Sequence, residues 1–403
     1  MFLDNQEKKD CCGCMACSNV CALSAIQMVQ DEKGFFYPVV DKEKCVECGQ
    51  CEKVCPMREN YVGQEADPAV YAVQNTNGKI LYESSSGGMF TLLAQWVLAQ
   101  EGVIYGVAFD ESYYVQHKRA VTMEEAQKFR TSKYVDSDIS EVYENIKKDL
   151  EAEKVVLLTG TPCQVSGVTK YLKVKRVNTE RLYTCDNICH GVPSRELWKE
   201  YLTILKERYI AADDQITFIN MRSKKVSWKQ QVMDIQLEKG NLDEVLEDFS
   251  FNRFFLSLYG HRPSCFHCRY TSYKRPSDFS LGDFWNVENA GISFDIEGGV
   301  NVVLVNTEKG QNLFHQITKD VKTQKVTKEA AWQPHLEYST KGPKDQEKFW
   351  EAYLQSEDKE KIIRKYMKGS FVTQVIRKVS PFLRKTGLYG AAGKLYKIVF
   401  VRK

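Results

Sequence analysis

The side chains most able to do chemistry in this chain are cysteines, 14 of them in 403 residues and nine before residue 56. Eight form two runs, Cys11, Cys14, Cys17, Cys21 and Cys45, Cys48, Cys51, Cys55, each spaced C-x2-C-x2-C-x3-C. Three thiolates on one tight loop reach three corners of an iron-sulfur cube, and the fourth ligand must come from elsewhere. In two-cluster ferredoxins the fourth cysteine of each run ligates the other cluster. The spacing therefore assigns Cys11, Cys14, Cys17 and Cys55 to one [4Fe–4S] cluster, and Cys45, Cys48, Cys51 and Cys21 to a second. Zinc sites pair two cysteines with two more and rarely show this triple spacing. Cys12 is left over as a bystander. Two such clusters carry single electrons and catalyse nothing alone.

Five cysteines lie far downstream: Cys163, Cys185, Cys189, Cys265 and Cys268. TGTPCQ (159–164), CHGVPS (189–194) and SCFHC (264–268) are three loops that together offer four thiolates, enough for another cluster, with Cys185 to spare. A buried inert thiol is the competing reading for Cys163. Upstream, SSSGG (84–88) runs into a helix that starts near Met89. Two readings stay open there: a pyrophosphate site at exposed backbone N–H groups and the positive end of the helix dipole, or an N-cap with a flexible lead-in. There is no G-x-G-x-x-G, so nothing supports a standard Rossmann dinucleotide site.

The elements that must position these loops can be read from pattern. VYAVQ (70–74), VIYGVAF (103–109), VVLL (155–158) and NVVLV (301–305) look like strands, as do FINMRS and QQVMDIQL in the harder region 213–257. Phe90, Leu93, Val97 and Leu98 mark a helix ending at Gly102; Ile139, Val142, Ile146 and Leu150 mark a second; residues 164–172 form a third. NVVLV is followed by a turn, and 344–368 reads as one charged helix. The expected fold class is α+β: a small two-cluster ferredoxin-like domain (1–62), a mixed α/β domain (68–343) and a helical basic tail (344–403), with a polar linker at 59–68.

Composition narrows the setting. Hydrophobic residues make up 43% and charged residues 27%, as in globular proteins. The start, MFLDNQEKKD, has no apolar core of a signal peptide, and no apolar run approaches the roughly 18–20 residues that cross a bilayer. A cytoplasmic location is expected, and in a reducing compartment cysteines serve metals rather than disulfides. The net charge of +3 hides an asymmetry: residues 361–403 hold twelve Lys or Arg and no acid, which leaves the rest at −9. With Phe371, Val375, Ile376, Val379, Phe382 and Leu383, that tail suits either an amphipathic helix on the inner face of an anionic membrane or a solvated helix on the acidic body. Nothing else in the chain supports nucleic-acid binding.

In order, SSGGMF, RTSKYVDSDI, GTPCQVSGV, CHGVPS, RPSCFHCRY and SDFSLGDFW, behind a two-cluster [4Fe–4S] unit, resemble the coenzyme F-420 hydrogenase/dehydrogenase beta-subunit family in its longer bacterial form. The resemblance covers roughly residues 1–310. It implies an FAD-containing iron-sulfur oxidoreductase, with Cys163, Cys189, Cys265 and Cys268 as ligands of a third [4Fe–4S] cluster and Cys185 as the alternative to Cys189. It also implies flavin contacts at Ser85, Ser86, Gly87, Gly88, Thr131, Ser132, Lys133 and Tyr134, joined by Gly160 and Thr161. Lys133 would offset pyrophosphate charge, and GDFW (282–285) would line the same pocket. His190 and Asp283 are the candidates for catalysis, each with a purely structural role as the competing reading. A flavin exchanges electrons in pairs and clusters exchange them singly, so the two together convert between modes. The implied activity passes electrons between a two-electron donor or substrate, whether F-420-like, nicotinamide or organic, and a one-electron partner, either a redox protein or a small-molecule donor. The alternative is a non-catalytic ferredoxin-type subunit without flavin.

Overall fold

The computed structural model describes Leu3, residues 6–58, 63–64 and 66–367. Part of the expected linker (59–62 and 65) and the tail beyond Met367 lie outside the described residues. The chain folds as α+β: an N-terminal ferredoxin-like unit, a larger domain on a mixed sheet, and helices at the C-terminal end.

The ferredoxin unit pairs β1 (Ile26–Gln30) with β2 (Phe36–Val40) in an antiparallel ribbon, flanked by short helices at Ala16–Val20 and Gln50–Lys53. Its two cysteine runs bend the same way. The third and fifth residues of each run have left-handed backbone: Gly13 and Met15 at φ 69° and 66°, Glu47 and Gly49 at 51° and 70°. The repeat in sequence is thus a repeat in backbone conformation.

The larger domain is built on eight further strands and a separate ribbon. These are β3 (Ala69–Gln74), β4 (Val103–Phe109), β5 (Val115–Ala120), β6 (Val156–Gly160), β7 (Leu182–Asn187), the ribbon β8 (Ile216–Ser227) and β9 (Gln230–Leu237), then β10 (Phe279–Asp283), β11 (Asn301–Val305) and β12 (Lys322–Lys325). The sheet runs β12-β3-β11-β10-β7-β6-β4-β5. β4, β6, β7 and β10 are parallel, and antiparallel strands flank them on both sides. The parallel strands are continuously apolar because both faces are covered. In β4, Val103 and Tyr105 pack towards helices Val142–Glu151 and Pro162–Val174, while Ile104 packs towards helices Met89–Ala99 and Glu308–Ile317.

The expected strands and helices are present, with three additions. NVVLV leads not merely into a turn but into helix Glu308–Ile317, capped by Thr307. The charged segment near the C-terminal end is two helices, Gln346–Gln355 and Lys359–Met367, separated where Ser356 takes extended backbone and its hydroxyl bonds Asp358. β5 and β7 carry polar residues such as His117, Lys118 and Asp186, which hid them from a pattern search. No described helix is long and apolar enough to cross a membrane.

The ferredoxin unit shares its core with the sheet domain. Cys14, Met15, Ala16, Val20 and Val54 pack with Tyr143, Val165 and Val168, and Phe35 joins Trp198, Phe254 and Trp350 in a second cluster. The two C-terminal helices belong to that second cluster through Phe349, Trp350, Ile363 and Met367.

Candidate redox site

Because β6, β7 and β10 are parallel, the loops that leave their carboxyl ends, TGTPC, ICHG and FW, open on one edge of the sheet. In α/β sheets this edge is where ligands bind. β3 points the same way across two antiparallel neighbours, so the serine-rich turn after it reaches that edge too.

Two adjoining cavities lie there. The larger, about 390 Å³, is lined by nine of the ten expected cofactor contacts: Ser85, Ser86, Gly88, Thr131, Ser132, Lys133, Tyr134, Gly160 and Thr161. Gly87 is not among them. It lies where the backbones of β3 and β11 meet, and a Cβ there would stand 2.1 Å from the Val73 carbonyl oxygen. Helix Met89–Ala99 starts at this cavity from Gly88, which offers no cap of its own, while Asn301 Oδ1 accepts the Met89 N–H at 3.1 Å. Ser85 Oγ accepts the Ser132 N–H at 3.0 Å, joining the two loops. Lys133 turns back on its own loop: Nζ donates to the carbonyls of Lys128 and Arg130 at 2.7 Å, and burial pushes its pKa down to about 7. Arg130 also lines the cavity, with Nε on Thr91 Oγ1 at 3.1 Å and Nη1 on Glu83 at 2.6 Å.

The second cavity is lined by Cys163, Cys189, Cys265 and Cys268, together with Cys12. Cys185 is elsewhere. It is a buried member of β7, packed with Val73, Met89 and Leu157, and its thiol faces the Asp186 carbonyl at 3.9 Å. Burial pushes up the thiols of Cys189, to about 12, of Cys268, to about 11, and of Cys265, with nearby Cys163 adding to each; Cys163 itself is raised first by its hydrogen bond with Cys12 and then by burial. A positively charged centre offsets such a cost by drawing off the protons. Backbone groups also meet these sulfurs: Gly191 N–H donates to Cys189 at 3.4 Å, and the main chains of Val192 and Tyr270 bond Cys265 and Cys268. The N-terminal runs share the device, with Ala25 N–H on Cys21 at 3.3 Å and Glu47 N–H on Cys45 at 3.5 Å. Hydrogen bonds to sulfur are one of the protein's levers on cluster potential.

Cys11, Cys14, Cys17 and Cys55 surround a third, small cavity walled by Met15, Met28 and Met57. Cys45, Cys48 and Cys51 lie close enough for their charges to interact. Among the described residues no three Cys, His, Asp or Glu side chains converge as they would on a single metal ion; the cysteines are spread around cavities.

Both candidate catalytic side chains are held by neighbours. His190 is packed against His335, ring centroids 3.9 Å apart, and burial, with His261 nearby, lowers its pKa to about 4. The Asp283 carboxylate accepts Trp228 Nε1–H at 2.9 Å and faces Arg222 Nη2 at 3.3 Å. Both residues nevertheless line the larger cavity.

Residues 153–329 match the family model for the C terminus of the coenzyme F420 hydrogenase/dehydrogenase beta subunit. Residues 10–58 and 37–85 each match a 4Fe-4S dicluster domain. The chain thus joins a 4Fe-4S dicluster region to a region that matches the C terminus of the F420 hydrogenase/dehydrogenase beta subunit. All four cysteines of the second cavity fall within the matched beta-subunit region, and both N-terminal runs fall within 10–58. No curated protein matches. Among solved structures, a chain of the xenon-derivatised F420-reducing [NiFe] hydrogenase complex from Methanosarcina barkeri aligns over 77% of this chain and 90% of its own, at 16% identity and a TM-score of 0.42.

Sequence reasoning missed several supporting residues of this beta-subunit region. Gln164 has the signature of a capping box, Thr-x-x-Gln, and its amide bonds Thr161 and Ser137 between the two cavities. Lys224 gives no local signal: its buried Nζ gathers the carbonyls of Leu81, Ser86 and Gly298, and so fixes the serine-rich turn from behind.

Proposed function

We propose that this chain is an iron-sulfur flavoprotein oxidoreductase that exchanges electron pairs with a hydride carrier or organic substrate and single electrons with a redox partner. The observation that carries the reading is the wall common to the two cavities: Ser137, Thr161, Gln164, Cys189 and His190 line both. A two-electron group in one chamber and a one-electron group in the other would be separated by single side chains.

The larger chamber suits FAD, as the family resemblance implies. Its volume is in the range of cofactor pockets, it lies at a helix N-terminus, whose positive end suits a pyrophosphate, and its walls add Val107, Phe129 and Met89 for an apolar ring system. FAD supplies the conversion between paired and single electrons when bound. The protein's share is positional. Ser85, Ser86 and Gly88 would hold the pyrophosphate, and Arg130 would add charge that Lys133, turned to its own carbonyls, does not. Cys163, Cys189, Cys265 and Cys268 would hold a third [4Fe–4S] cluster. A redox partner has access at the exposed Cys48.

Anaerobic reconstitution tests this reading. We expect about one FAD per chain and about twelve irons, four for each cysteine quartet. Iron without flavin would leave the non-catalytic electron carrier; about eight irons would remove the third cluster.

A further inference from the structure

Arg262 precedes Cys265 by three residues, yet its side chain reaches into the ferredoxin unit. It is 1% exposed. Nε donates to the Cys11 carbonyl at 2.9 Å and Nη2 to the Phe36 carbonyl at 2.5 Å. The guanidinium lies between the rings of Tyr37 and Phe35, 4.6 and 5.2 Å from their centroids, and against Gly13. Nη1 has no hydrogen-bond partner. Its nearest counter-charge is Asp136 at 3.6 Å, which is shared with Arg195 at 3.8 Å. Arg262 and Cys12 both line the cavity of the third quartet, and Cys12 also lines that of the first. A buried, incompletely paired cation therefore stands at the junction of two cysteine quartets.

An iron-sulfur group held by four thiolates is anionic, and each added electron makes it more so. Burial opposes that added charge, as it opposes any ionisation. The first quartet is buried at Cys11, Cys14 and Cys55, whereas Cys48 of the second is exposed. Without compensation the first group would be the harder to reduce. A cation at the Cys11 loop acts in the opposite sense, and low local dielectric magnifies its effect.

We propose that Arg262 is a positioning residue that raises the reduction potential of the group held by Cys11, Cys14, Cys17 and Cys55 relative to the group held by Cys21, Cys45, Cys48 and Cys51. It thereby makes the inner site the preferred resting place of an electron. This rests on the iron-sulfur part of the proposed function and not on its flavin.

The test is an EPR-monitored redox titration of the anaerobically purified full chain, with Cys48→Ser used to assign the signals. In Arg262→Met the inner midpoint should fall at least tenfold in equilibrium terms, about 59 mV for one electron, with the outer midpoint unchanged. Arg262→Lys should move it less. Asp136→Asn, which removes the opposing charge, should move the same midpoint upward. Both midpoints staying still, or shifting together, at wild-type iron content overturns the proposal. If Arg262→Met fails to retain iron, the decision passes to Asp136→Asn: an upward shift of the inner midpoint with the outer midpoint unchanged supports the proposal, and any other result overturns it. Missing FAD would sink the flavoprotein reading and leave this measurement intact.

Discussion

The two N-terminal cysteine runs have the same spacing and the same alternation of left-handed residues, but they live in different surroundings. Around the first, Cys11, Cys14 and Cys55 are buried, Tyr143 Oη–H donates to the Cys14 carbonyl, and Lys170 Nζ reaches the Cys55 carbonyl at 3.4 Å. Around the second, Cys48 is exposed and Val46 is 69% exposed. Spacing determines what a run can hold. What it packs against determines whether it faces the domain or the solvent, and hence which way electrons can travel.

The largest effects should come from breaking the ligand sets. Cys14→Ser and Cys48→Ser should each cost about four irons per chain, but only Cys14→Ser should also lower the melting temperature by several degrees, because only that sulfur belongs to the shared core. Equal melting temperatures in the two variants would break the comparison.

A pair of glycines sharpens it further. Gly13 and Gly49 have nearly the same φ, +69° and +70°, so alanine carries a similar backbone penalty at either, about 1–2 kcal/mol. At Gly49 the added Cβ meets open space; at Gly13 it would lie 2.6 Å from the Arg262 guanidinium. Gly13→Ala should therefore destabilise by about 1–3 kcal/mol more than Gly49→Ala in denaturant unfolding, the usual cost of overpacking.

Acid should act mainly from the inner side. His117 is buried in β5 beside Thr159 and Ser137, and burial lowers its pKa to about 4. The unfolded chain binds that proton at about 6.5. Between these values the unfolded state holds more protons, so stability falls as pH drops from 6.5 towards 4, by up to roughly 3 kcal/mol. His117→Gln should make the pH dependence of melting over that window shallower, with His190, His261 and His335, whose pKa values burial also lowers, keeping the rest; an unchanged profile would remove His117 from the acid response.

Much of this was legible in the sequence, for a physical reason. Ligand spacing and apolar runs are local, so the cysteine quartets, β3, β4, β6 and β11 declare themselves. The loops SSSGG, RTSKY and TGT belong together in sequence only through family resemblance, and their meeting at one cavity depends on strand order, which no local pattern contains. Gly87 shows the limit: it sits within a cavity-lining motif but serves strand packing. Cys12 is surplus to a run that already has its ligands, and only the fold brings it beside Cys163. Lys224 and Arg262 act 74 to 251 residues from where they appear in sequence, through carbonyls that any residue could offer.

Helix Pro162–Val174 has one more consequence. Cys163 stands in its first turn, Gly167 against Cys14 in the next, and Lys170 against the loop of Cys55 in the turn after. Residues four and then three apart share one stripe of a helix, so this helix is a ruler between two cysteine-lined cavities, graduated in steps of about 1.5 Å per residue. Inserting one residue after Cys163 would swing that stripe through about 100° and disconnect the sites. The stretch from 163 to 170 should therefore tolerate changes of side chain far better than changes of length.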